Sequence, residues 1–134
     1  MPVHEEIVQR AQEHEHAAGA CRGLGDVLFA QSQWLGAEAW YTRGLRYAKD
    51  NPPLAAALSL GLGETSLRRG HLGAAGDRLQ HALETFEALA DHDGVIRSLL
   101  ARGVMGATQG RTAEVLASYR EALSRLPVQG ADSA

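Results

Sequence analysis

The 134-residue sequence predicts an all-α fold built from stacked helix pairs. Three observations predict it. Ala, Leu, Gly, Glu and Arg dominate, while the branched residues that pleated sheets pack best are scarce. Three segments align without internal gaps: "GLGDVLFAQSQWLGAEAWYTRGL" from Gly23, "GLGETSLRRGHLGAAGDRLQHAL" from Gly61 and "ARGVMGATQGRTAEVLASYREAL" from Ala101. Glycine and proline recur where paired helices must stop.

The successive offsets are 38 and 40 residues. They superpose Gly25, Gly63 and Gly103, then Ala37, Ala75 and Val115. Tyr41, Leu79 and Tyr119 follow, then Gly44, Ala82 and Ala122, then Leu45, Leu83 and Leu123. Such self-similarity marks a repeat architecture, in which each unit is one supersecondary element. Glycine inside a helix costs about 1 kcal/mol relative to alanine. Its return at one register implies that a side chain there would block close approach of the facing helix, with its small Ala75 and Ala82.

Each element can be justified in order. "HEEIVQRAQEHEH" carries Ile7, Val8 and Ala11 on one face and reads as a lone N-terminal helix. The first pair spans about 18–51 and turns at Ser32-Gln33. The second spans about 52–91: Pro52-Pro53 opens its first helix, where a proline ring is tolerated, and Gly70-His71 is its turn. Its second helix aligns Leu79, Ala82, Leu83 and Phe86 in one stripe. The third pair spans about 92–127, turns at Gly110-Arg111 and stops at Leu126-Pro127. The count is about seven antiparallel helices in a single domain over residues 1–127. Residues 128–134, "VQGADSA", read as a flexible polar tail. No capping helix follows the third pair, which predicts an apolar flank on Val115, Leu116, Tyr119 or Leu126; that flank can dock a second copy as a homo-oligomer through the C-terminal helix pair, a partner, or the rest of a longer protein.

Composition narrows function. The net charge of −3 gives no broad basic footprint for nucleic acid. No apolar run approaches the about 20 residues of a membrane span, and the polar N-terminus is no signal peptide, which predicts a cytoplasmic protein. Cys21 is single and reads as a small buried apolar residue. His14 and His16 in "EHEH" point to different sides of a helix and do not share a metal ion. No nucleophile elbow, phosphate loop or helical His-Glu-x-x-His occurs, so no catalytic residue and no cofactor is expected. Trp34 and Trp40 follow the first turn and read as packing residues, the alternative being one exposed indole as a binding anchor.

The Leu-Gly pairs, the turn glycines, Ala37 and Ala75, the aromatics Tyr41 and Tyr119, Ala82 and Ala122, and the closing Pro127 resemble the tetratricopeptide repeat over about residues 18–127. The usual period of that repeat is 34. The longer units here are similar to those of bacterial regulatory proteins, the extra residues lying in "AKDNPP" and "ALADHDG". The resemblance implies a right-handed superhelical solenoid whose first helices line a concave groove. On that face it places Arg22, Asp26 and Phe29, then Leu60, Glu64 and Leu67, then Leu100 and Val104, flanked by Arg68 and Arg97. It implies a non-catalytic scaffold that binds a protein or peptide through this groove or through its uncapped end, the groove suiting apolar anchors and a basic or amide group. Family members that clamp chaperone C-termini carry several cations there; only Arg22 suits that task, and Asp26 would repel the carboxylate. Two alternatives stand beside this reading. Leu60, Leu100 and Val104 can be core, with Asp26 and Glu64 paired to Arg22 and Arg68. The helices can instead carry a small-ligand sensor or an enzyme centred on Asp26 and Glu64.

Overall fold

The computed structural model describes residues 2–127; the tail at 128–134 lies outside them. The described residues form six helices and no strand: α1 (Pro2–Ala30), α2 (Trp34–Tyr47), α3 (Pro52–Arg68), α4 (Leu72–Ala88), α5 (His92–Thr108) and α6 (Thr112–Ser124). The expected lone N-terminal helix and the first helix of the first pair are one continuous 29-residue rod, so the count is six rather than seven. The cause is local. Between the two expected helices lies "HEHAAGA", with three alanines, no proline and only Gly19, which is too weak a breaker by itself. The helix α2 has 14 residues, and α1 runs on well past it.

The turns repeat one device. After α3, Gly70 takes φ +79° while its amide bonds Leu67 O at 3.1 Å and the next amide bonds Ser66 O at 2.8 Å. These two reversed bonds satisfy carbonyls that the helix end would otherwise orphan. The same pair closes α5 at Gly110, α1 at Ser32 and α4 at Ala90. Only the first two are glycines. At the other end of α3, Asn51 caps the helix by accepting from the Leu54 amide at 3.2 Å, just before Pro52-Pro53.

Helices adjacent in sequence pack against each other throughout. Among the described residues α1 also touches α3 and α3 touches α5, whereas α2 and α4, and α4 and α6, stay apart. Odd helices therefore crowd one side and even helices splay on the other, which curves the stack with the odd helices inside. The middle odd helix, α3, has neighbours all round. Its "LAAALSLGLG" is apolar on every side, as such a position requires. Leu58 and Leu62 pack with Tyr41 and Ala37 of α2. Leu60 packs with Leu79, Val95 and Leu99 of α4 and α5.

The recurrent glycines fill a role slightly different from the expected one. A Cβ on Gly25 would stand 2.5 Å from Tyr41 Cε1, one on Gly63 2.7 Å from Leu79 Cδ2, and one on Gly103 2.6 Å from Tyr119 Cζ. Each glycine is a notch for the large side chain of its own hairpin partner. The small alanines Ala37, Ala75, Ala82 and Ala122 are buried close by, but they are not what the glycines accommodate.

Candidate functional site

The inner face of the curve holds a cavity of about 200 Å³ lined by Arg22, Asp26 and Phe29 of α1, Ala57, Gly61 and Glu64 of α3, and Arg97 of α5. Three consecutive odd helices contribute. Tyr41 reaches the same cavity from α2 behind them. A second cavity of about 210 Å³ shares Arg22, Ala57 and Arg97 and extends past Pro53 to Asp91 and Asp93. Two guanidinium groups thus flank the small Ala57, one from each neighbouring repeat.

The floor is built by Tyr41. Its ring lies between two glycines, because a Cβ on Gly61 would also stand 2.7 Å from Tyr41 Cζ. The hydroxyl donates to Asp26 Oδ1 at 2.6 Å. Burial, then the bond to Asp26, pushes the phenol pKa well above its ordinary value, so the group stays a donor at all physiological pH. Asp26 meets Arg22 only at 3.9 Å. Burial likewise raises the Glu64 carboxyl, opposed by the positive charges of Arg97 and Arg68. Neither Glu64 nor Arg97 forms an ion pair within 4.0 Å among the described residues.

At one end of the groove Phe29 and Trp34 meet edge to face, with centroids 5.1 Å apart. The Arg68 guanidinium lies 6.0 Å from both rings. The alternative in which Arg68 pairs with Glu64 is met only at a distance: no ion pair forms within 4.0 Å, although the Arg68 charge still acts on Glu64. The contact with the two rings leaves a half-buried aromatic shelf with a cation on it.

Of the residues expected to line the groove, the structure brings Arg22, Asp26, Phe29, Glu64 and Arg97 into one cavity, with Arg68 at its edge. Leu60 is corrected. It is 1% exposed in the core, because at that register α3 faces α5 while α1 and α5 leave the position open. Leu67 is half-buried, and Leu100 and Val104 are exposed on α5 but line neither cavity. Sequence reasoning missed Tyr41 as a groove residue. Its alignment with Leu79 and Tyr119 marks it as packing, and no local signal announces that its hydroxyl passes between two glycines to Asp26. Elsewhere, His14 lies against Tyr47 at 5.8 Å between ring centroids. No group of three metal-ligating side chains occurs among the described residues, and no described helix is long and apolar enough to cross a membrane.

A family model for the tetratricopeptide repeat matches residues 53–127, more than half of the chain. The chain belongs to the tetratricopeptide repeat family. No curated protein and no solved structure matches it. The family match begins at the second helix pair, yet the tetratricopeptide geometry extends further toward the N-terminus. The pair α1–α2 carries the same glycine notch at Gly25 and Tyr41, and the same reversed helix end at Ser32.

Proposed function

We propose that this tetratricopeptide repeat chain is a non-catalytic interaction module that grips a segment of a partner protein in its concave groove. Tetratricopeptide repeats generally mediate protein–protein interaction or scaffolding. The observation that carries the reading here is the convergence of Arg22 and Arg97 on either side of Ala57, with the half-buried Glu64 alongside. Glu64 feels the charge of Arg97 but forms no ion pair with it within 4.0 Å among the described residues, so both groups can reach a ligand. Arg97 suits a carboxylate of the bound segment, and Glu64 and Asp26 suit a basic or amide group. The Phe29–Trp34 shelf suits an apolar anchor.

The test is quantitative capture from native lysate by the wild type and by Arg97→Glu and Glu64→Arg. Leu60 is unsuitable for this purpose, because a charge there would be buried in the core. A protein retained by the wild type should be lost by both variants while each keeps the helicity and cooperative melting of a folded chain. Equal capture by all three proteins would refute the groove as the binding surface.

A further inference from the structure

The repeat register exposes at each end of the stack a face that the neighbouring helices cover inside it. Leu83 of α4 is 7% exposed beneath α5, whereas Leu123 at the same register of α6 is 68% exposed. Leu62 of α3 is 4% exposed against α2, whereas its equivalent Leu24 of α1 is 44% exposed. The neighbours follow suit. Phe86 and Thr65 are buried, while Leu126 and Val27, their counterparts, are not. The α6 flank therefore consists of Leu116, Leu123 and Leu126. Val115, also expected there, turns toward Gly106 within its own hairpin, whereas the half-buried Tyr119 packs on Gly103 and stands at the register where Tyr41 meets both Gly25 and Gly61.

We infer that a second copy of this chain covers the α6 face with its own α1, continuing the stack head to tail. The argument is a size match repeated at every repeat boundary. Tyr41 of α2 projects onto Gly61 of α3, where a Cβ would collide with its ring. The next boundary has the smaller Leu79, in one core cluster with the larger Ala101, which stands at the register of Gly61. The third boundary begins with a tyrosine again, Tyr119. The residue at that register on α1 is Gly23, which has nothing within 4 Å of its would-be Cβ. Tyrosine meets glycine at the first boundary, leucine and alanine share one core cluster at the second, and Tyr119, which packs on Gly103 as Tyr41 packs on Gly25, has the open Gly23 at the matching register of α1. An odd helix is what covers α2 and α4 inside the fold, and α1 presents the matching face. Because the two contacting surfaces differ, the association is heterologous and builds open chains or rings.

The test is sedimentation velocity over a wide concentration series, with helicity and melting followed in parallel. Wild type should gain mass progressively with concentration. Gly23→Leu and Leu123→Glu should each remain monomeric at every concentration while melting as cooperatively as wild type, since both positions lie in the open in a single copy. Mixing the two variants should yield a discrete dimer, because Leu123→Glu still offers an intact α1 face and Gly23→Leu an intact α6 face. A wild type that stays monomeric throughout would overturn the proposal. So would a Gly23→Leu variant that assembles like wild type, the outcome required by a symmetric contact between two α6 faces.

Discussion

The Tyr41 hydroxyl donates to the carboxylate of Asp26 across 2.6 Å, joining α2 to the concave surface of α1. The ring beneath that hydroxyl is held between Gly25 and Gly61 of two different repeats. One side chain thus fixes a hairpin, a repeat boundary and a groove carboxylate at once. Tyr41→Phe keeps the packing and removes the bond. It should cost about 1–2 kcal/mol, since hydrogen bonds to charged groups are worth more than neutral ones. Chemical denaturation of Tyr41→Phe, Asp26→Asn and the double variant would show it as a coupling between the two single changes. Additive effects would mean that the bond contributes nothing.

Two glycines one residue apart on either side of Leu24 should respond in opposite ways to alanine. Gly23 has open space around it, so Gly23→Ala should stabilise the monomer by up to about 1 kcal/mol through helix propensity. Gly25→Ala drives a methyl into the Tyr41 ring and should destabilise by about 1–3 kcal/mol. Thermal melting at low protein concentration compares them directly, and a shared sign for both would contradict the notch assigned to Gly25.

The left-handed helix ends make a third prediction. Ala90 holds φ +55° and Ser32 φ +60° in the same reversed turn that glycine fills at Gly70 and Gly110. Left-handed backbone strains a residue that carries a Cβ. Ala90→Gly and Ser32→Gly should each stabilise by about 0.5–1 kcal/mol, the strain relief exceeding the extra chain entropy of glycine. Gly70→Ala should lose a similar amount. Denaturant midpoints at unchanged slope are the readout.

Glu64 predicts a pH dependence. Its carboxyl pKa is raised in the folded protein, chiefly by burial. The folded state therefore holds this proton more tightly than the unfolded state does, and stability falls as pH climbs from the ordinary value of 4.5 through the raised one. Glu64→Gln removes the buried charge. It should melt above wild type at neutral pH, and the advantage should fade as pH falls below the ordinary glutamate value. A difference that persists unchanged into acid would place its origin in something other than ionisation.

Much of the fold was legible because it rests on local chemistry. Pro52-Pro53, Gly70 and Gly110 announce helix starts and stops by backbone preference alone. The stripe of Leu79, Ala82, Leu83 and Phe86 is buried as its period requires. The αL turn at Ala90 was not legible, since nothing in an alanine signals a positive φ. Nor was the unbroken α1, because an expected gap between helices had no residue strong enough to make one. In the groove, Arg22, Asp26 and Glu64 follow from the resemblance to the repeat family, whose first helices line that face. The hydroxyl of Tyr41 does not, because its path depends on two glycines 36 residues apart in the chain.

The sequence by itself determined the helical class, the turn positions and the register at which the helix pairs repeat, all of which depend on neighbours within a few residues. Only the tertiary structure decided what each register position means. Leu60 is core and Leu100 is exposed at one register, as Leu83 is buried and Leu123 open at another. Burial depends on how many helices stack against a face, and that number is a property of the assembled curve, set by where in the stack a helix stands.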